Sequence, residues 1–217
     1  MVHRREVKMR VAVFGATGRI GRHVIDQLLQ GGHEVVALVR DPRRLPVRHE
    51  RLRVVQGDAR DADRVREVIS GADAVISALG PRRNTPEEAE AHLAAVRTIL
   101  QVMRELGVRR FITVLGAAVD APTDRKGILD RIAAWLVRRA ARWVYEAKRG
   151  EFELLQQSGL EWVAARPPMV TEGPITLRYE VRLDRPRRPR VTAADVAHFL
   201  TEQVQSDRYL RSAPFVA

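Results

Sequence analysis

Three glycines at three-residue spacing carry the first chemistry in this chain. The run is Val11-Ala-Val-Phe-Gly15-Ala-Thr17-Gly18-Arg19-Ile20-Gly21. It reads as a buried strand, a tight turn and the first turn of a helix. Gly15 lets the chain turn sharply off the strand. Gly18 lets the backbone approach a diphosphate, and Gly21 lets the helix sit close to the sheet. Free N–H groups at the helix start, helped by the helix dipole, then face an anion. The spacing is GxxGxxG rather than GxGxxG. The strand before it, the helix after it and a second strand further on give the triplet its weight.

A second set of residues follows the next strands. Where a dinucleotide fold places an acidic residue to accept from a ribose 2′-hydroxyl, this chain has Arg40, in Val39-Arg40-Asp41-Pro42-Arg43-Arg44. A guanidinium there suits a 2′-phosphate, which it can hold bidentately. Arg44 and Arg19 are candidate further clamps, and Asp41 points one residue further round the turn. The expected cofactor is therefore NADP(H) rather than NAD. Asp58, with Ala59 after it, is placed either to accept from an adenine amino group or to cap a helix. Ala78, Leu79 and Gly80 are small enough to let the backbone pass over ribose and diphosphate.

These residues need a sheet to bring them to one edge. Strand and helix patterns alternate, which predicts a parallel sheet covered on both faces. Strands are expected at 10–14, 34–39, 52–56, 74–77, 110–115 and 161–165. Helices are expected at 20–30, 62–69, 87–106, 128–148, 151–157 and 193–203, the last capped by Thr192. A loop-and-strand region runs from 171 to 183. The fold class is α/β, a single Rossmann-like, doubly wound parallel sheet of order 3-2-1-4-5-6. The ligand crevice lies where that order reverses. One domain spans 1–217, with a small substrate-side region at about 167–192.

Composition narrows the classes. The 217 residues include no cysteine, which excludes disulfides, thiolate metal sites and a cysteine nucleophile. The charged start, Met1 to Arg10, has no apolar core of a secretory signal, and no apolar run is long enough to cross a bilayer. A cytoplasmic location is expected. The net charge of +11 raises nucleic acid or an anionic membrane as partners, but the basic residues are spread along the chain. The run Arg185-Pro-Arg-Arg-Pro-Arg190 lacks interleaved aromatics and reads as a solvated turn. His3, His23, His33, His49, His92 and His198 are scattered without a carboxylate or second histidine at ligand spacing, so no metal site is expected.

With these residues in hand, the chain resembles the atypical, NAD(P)H-binding branch of the short-chain dehydrogenase/reductase superfamily. More narrowly it is similar to the biliverdin-IX-beta reductase/flavin reductase group. The likeness rests on Phe14-Gly-Ala-Thr-Gly18-Arg-Ile-Gly21, Leu38-Val-Arg40-Asp41, Leu45-Pro46, Gly57-Asp58, Gly71-Ala-Asp73-Ala-Val75-Ile76, Gln157-Ser-Gly-Leu160, Arg166-Pro-Pro168 and Asp195-Val-Ala-His198. It implies NADPH held by Gly15, Thr17, Gly18, Arg19, Ile20, Arg40, Arg44, Asp58, Leu79 and Gly80, and hydride transfer at the nicotinamide.

The superfamily's proton donor is a Tyr four residues before a Lys, with a Ser polarising the carbonyl. Here the residue four before Lys148 is Val144, and Tyr145 precedes Lys148 by three, still a neighbour on a helix. The hydroxyl expected after strand five falls on Gly116. Tyr145 and Lys148 are the candidate catalytic pair. A conjugated acceptor asks less of the protein, since it takes hydride into a delocalised system and its proton from water. The expected activity is NADPH-dependent reduction of a flavin, bilin-like, quinone or other conjugated carbonyl acceptor. Gly116, Ala117, Pro168 and Met169 are expected to line the acceptor side. A nucleotide sensor without turnover and an NAD(P)-dependent epimerase or dehydratase are the alternatives. Ile128, Ile132, Trp135, Leu136, Ala140, Trp143 and Val144 recur at helical spacing beside Arg131, Arg138, Arg139 and Arg142. They read as a helix packed on the domain or on a second subunit, with a lid or an anionic-membrane surface as the sharper reading. Monomer and homodimer both remain open.

Overall fold

A computed structural model describes residues 8–217, so Met1 to Val7, including His3, lie outside the described residues. Six strands form one parallel sheet: β1 (Arg10–Phe14), β2 (Glu34–Val39), β3 (Leu52–Gln56), β4 (Ala74–Ser77), β5 (Arg110–Val114) and β6 (Glu161–Ala165). Their order is β3-β2-β1-β4-β5-β6, as expected. β1 is registered against both β2 (Phe14 opposite Leu38) and β4 (Phe14 opposite Ser77). The order reverses at this strand, and the glycine turn leaves from its carboxyl end.

Both faces of the sheet are covered, which is why its strands are nearly continuous in apolar residues. Helices α1 (Gly21–Gln30) and α6 (Ala193–Glu202) pack on one face, over Val11, Val13, Ile76, Ile112 and Val163. Helices α2 (Ala62–Ile69), α3 (Pro86–Leu106) and α5 (Arg142–Gln157) cover the other, over Phe14, Val75, Phe111 and Trp162. Local chemistry explains the ends. Asp61, Thr85 and Thr192 each accept a backbone N–H from the helix they open, and Gly107 ends α3 in the left-handed conformation.

The fold corrects the sequence reading between residues 128 and 157. Instead of one helix at 128–148 and a short one at 151–157, the break falls at Ala141, between α4 (Ile128–Ala140) and α5. Asn84 makes it: its Oδ1 accepts from Trp143 N at 2.8 Å and its Nδ2 donates to Ala140 O at 3.0 Å. Gly150, in the gap left between the two expected helices, lies inside α5. A Cβ there would stand 2.9 Å from Leu93 Cδ2, so the glycine serves the close approach of α5 to α3. Two small sheets complete the fold. β7 (Met169–Thr171) pairs in parallel with β9 (Arg190–Thr192). β8 (Val181–Arg182) pairs antiparallel with β10 (Phe215–Val216).

Candidate functional site

The carboxyl ends of β1 to β4 open into a cavity of about 530 Å³. Its lining runs from Phe14 and Gly15 through Arg40, Asp58 and Leu79 to His92 and Ala95 on α3. The glycine turn lies so close to the β4 loop and to the first turn of α1 that a side chain at Gly15 or Gly21 would collide with backbone. Gly15 has φ of +80°, and a Cβ on it would stand 2.6 Å from the Ala78 backbone. A Cβ on Gly21 would stand 2.1 Å from Gly15 O. Both contacts are far inside van der Waals range, so the close approach of turn, helix and β4 loop requires these residues. The residues present therefore fit a dinucleotide.

Arginines outnumber carboxylates at the β2–β3 end of the cavity, whose lining also carries Asp58, Glu87 and Glu88. Arg40 and Arg83 line the cavity, and Arg44 and Arg82 stand close by. Desolvation, then the like charges of Arg40 and Arg44, lower Arg82 from the usual guanidinium range. Cations crowded together in this way gain when an anion joins them. Asp41 does not compete for that place. It caps the short 3-10 turn at Pro42–Arg44 and pairs with Arg43 Nε at 2.9 Å. Asp58 does line the cavity, but Arg60 grips it at 2.8 and 3.0 Å. That hydrogen bond, with the charge of Arg40 adding to it, holds the Asp58 carboxyl below the usual range.

Behind the β4 loop lies a buried polar cluster. Lys148 Nζ donates to Leu79 O at 2.6 Å and to Glu151 Oε2 at 2.8 Å. Glu151 is completely buried; its Oε2 also meets His92 Nε2 at 2.7 Å, and its Oε1 lies 2.6 Å from Thr113 Oγ1. Thr113 has one hydroxyl proton and a second acceptor, Ser77 O, at 3.0 Å. The shorter contact to a carboxylate is the stronger claim on that proton. Burial alone would raise Glu151, but Lys148 and His92 overcome it and hold the carboxyl down to about 2. Burial, then the charge of Lys148, lowers His92, so its ring is neutral near pH 7 and donates to Glu151. His92 thus meets a carboxylate 59 positions away, a contact that sequence spacing does not show.

The structure gathers some of the expected site residues and separates others. Gly15, Thr17, Arg40, Asp58, Ala59, Leu79 and Gly80 line the cavity. Ala78 abuts Gly15 and donates its N–H to Phe14 O at 2.9 Å. Gly18 N donates to Gly15 O at 3.0 Å, closing the turn, and Ile20 packs on the α1 side of the core. Arg19 turns the other way. It donates to Val170 O at 2.9 Å and pairs with Glu172 at 3.3 Å, fastening the glycine turn to β7. Lys148 stands behind Gly80, whose Cβ position would be 3.8 Å from its Cε. Tyr145 is not among the lining residues; its ring lies under the Arg138 guanidinium, 5.0 Å from its centroid.

Gly116 and Ala117 meet the 167–169 segment through the Ala117 N to Pro167 O bond of 3.0 Å. Met169 is 55% exposed beside them, and Gly116 has φ of +136°. None of these residues is among those that line the cavity. A fully buried Arg166 shapes this region. It grips Asp124 at 2.6 and 2.9 Å, donates to Val119 O and Ala213 O, and lies 3.9 Å over the Phe215 ring. Sequence reasoning missed Arg82, Arg83, Glu151, His92 and this Arg166 hub. The usable signal was Lys148 and Glu151 at i and i+3, hidden because the expected helices end at 148 and restart at 151.

The chain matches the NAD(P)H-binding family over residues 15–207. It is 40% identical over 124 residues to the 3-diazoavenalumate denitrifying reductase of a Streptomyces species. The match covers 52% of this chain and 40% of that protein, so the chain corresponds to less than half the length of this relative. A short-chain dehydrogenase/reductase of Veillonella parvula, crystallised with NADP, superposes with a TM-score of 0.80 at 16% identity, covering 97% of this chain and 95% of that one. The ChuY anaerobillin reductase of Escherichia coli O157:H7 does so at 0.78 and 21%, covering 95% and 96%. With the glycine turn, the cavity at the strand ends and the match over most of its length, this chain is a member of the NAD(P)H-binding family.

Proposed function

We propose that this protein is an NADPH-dependent reductase of a conjugated acceptor: a flavin, a bilin-like tetrapyrrole, a quinone or another conjugated carbonyl compound. The observation that carries the reading is the crowd of guanidinium groups, Arg40, Arg44, Arg82 and Arg83, at the adenosine end of the cavity. Such a cluster suits a 2′-phosphate, and the position after β2, where an acid would accept from a 2′-hydroxyl, holds Arg40; the lining carboxylates Asp58 and Glu88 are engaged by Arg60 and by the Arg82 N–H. Bound dinucleotide supplies the hydride. Gly15, Thr17 and Gly18 hold the diphosphate, and Leu79 and Gly80 form the floor under the ribose. Lys148 fixes that floor by holding the Leu79 carbonyl. Gly116, Ala117, Pro168 and Met169 shape the acceptor side and limit water there.

Tyr145 and Lys148 remain the candidate acid system, and the geometry favours a second source for the proton. Lys148 is engaged by Leu79 O and Glu151, and Tyr145 lies under Arg138 outside the cavity lining. An acceptor with a delocalised product anion takes its proton from water. The same two observations favour, as a second reading, a nucleotide-responsive binder that does not turn over.

Steady NADPH oxidation with flavin mononucleotide, a quinone and a bilin tests the proposal. We expect turnover with at least one of the three and a clear preference over NADH. Tight NADPH binding with no oxidation across the panel would establish the second reading instead. For Arg40→Ser we expect NADPH to bind roughly ten- to a hundredfold more weakly, the worth of one charge-assisted contact, with NADH little affected. An unchanged NADPH affinity would remove Arg40 from the site.

A further inference from the structure

Helix α4 turns its apolar residues outward. At about 100° per residue, Ile128, Ile132, Trp135 and Leu136 share one face, and Ala134 lies roughly opposite. The small alanine is the buried one. Ile128 is 76% exposed, Leu129 81%, Trp135 58% and Leu136 54%. The expectation that this stripe packs on the domain is therefore corrected: α4 leans on the body through a methyl group and shows its large side chains to solvent. An exposed contiguous apolar face containing a tryptophan marks a contact surface.

The charges around that face say what it fits. Arg131 and Arg139 are exposed and have no ion-pair partner among the described residues. Arg142 is exposed at the next helix start. The segment entering α4 is tied to the basic run by Arg125 N to Asp184 O (2.7 Å) and Thr123 Oγ1 to Leu183 O (3.0 Å). Arg185, Arg187, Arg188 and Arg190 are all exposed there, beside exposed Leu183. The only acid on α4, Asp130, is spent on capping Gly127 N. A second copy would bring the same arginines against themselves, in a chain of net charge +11. A nucleic acid would meet the arginines but has no use for four large apolar side chains. An anionic bilayer answers both features, with acyl chains for the stripe and headgroups for the guanidinium groups.

We propose that α4, with the basic run at 185–190, seats this protein on the surface of an anionic lipid bilayer without crossing it. Arg138 ties the seat to the acceptor side of the fold, since it donates to Ala118 O at 3.0 Å and pairs with Asp120. Docking therefore brings the loop that follows Gly116 towards the lipid. The proposal stands whether or not the reductase reading does.

The test is co-sedimentation of the full chain with phosphatidylglycerol/phosphatidylcholine vesicles and with phosphatidylcholine vesicles alone. We expect binding to the anionic vesicles only, weakening as salt rises. In Trp143→Phe protein, bromolipid should quench Trp135 and leave buried Trp162 bright. Arg131→Gln with Arg139→Gln should weaken binding about fivefold per arginine, and Ile132→Ser with Trp135→Ser at least tenfold, with NADPH binding and thermal midpoint retained. No binding to anionic vesicles at low salt overturns the proposal. So does binding indifferent to these substitutions. Sedimentation of a dimer that Trp135→Ser makes monomeric would assign the face to a second copy, and salt-sensitive duplex DNA binding in place of vesicle binding would assign the arginines elsewhere.

Discussion

Lys148 has a different task here from a free ammonium at an active site. It is buried, its Nζ lies 2.6 Å from Leu79 O and 2.8 Å from Glu151, and it anchors the floor of the cavity from behind. Removing one partner of such a pair strands the other charge in a dry environment, which costs about 3–5 kcal/mol. Lys148→Met should therefore lose stability of that order in urea unfolding, whereas Arg40→Ser, at an exposed position, should lose little. Equal effects of the two substitutions would contradict the assignment of one as scaffold and the other as ligand contact. Sequence reading reached these two residues unequally. Arg40 was legible because strand register alone fixes the position after β2. The partners of Lys148 were not, because His92 is 59 positions from Glu151 and no local pattern marks their meeting. Arg19 shows the same limit: its place in the glycine turn suggested a phosphate clamp, yet its guanidinium reaches across to Val170 and Glu172.

The elements were legible wherever local chemistry decides them. Buried parallel strands read as short apolar runs, and Thr192 announced the start of α6. The boundary at Ala141 was beyond such reading, since the capping group comes from Asn84, in the loop between β4 and α3. An N-cap side chain is worth about 1 kcal/mol, and Asn84 also holds the end of α4. Asn84→Ala should lower the thermal midpoint by roughly 2–4 °C for a chain of this size. Faster amide exchange should appear at 142–145 and leave α3 protected. Uniform exchange across α3 and α5 would show that the contact does not set this junction. Of β7 to β10, only β8 lies wholly within the loop-and-strand region expected at 171–183. Strands of two or three residues carry no period, so their bounds and pairing are set by tertiary contacts.

On the scale of the molecule, the buried cluster joins β4, β5, α3 and α5 and makes stability pH-dependent. Glu151 is depressed to about 2 in the folded protein, against about 4.3 when unfolded. Its contribution is present above the unfolded value and is lost as pH falls from about 4 to 2. His92 is lowered from 6.5, so the unfolded chain takes up that proton first, and stability falls as pH drops below about 6.5. Both act in the same direction. The unfolding midpoint should be lower at pH 5 than at pH 7.5, and His92→Gln should flatten that interval while leaving the drop below pH 4. A wild-type slope in the variant would place the proton elsewhere. The cavity's position has one more consequence. All of its lining comes from Phe14 to Ala95, whereas the residues proposed for the acceptor come after the exposed Gly107 turn. On the proposed function, nucleotide grip and acceptor choice occupy successive stretches of the gene. Shuffling at that turn between related sequences should re-target the chemistry while keeping the hydride source, provided a lysine still reaches the carbonyl of residue 79.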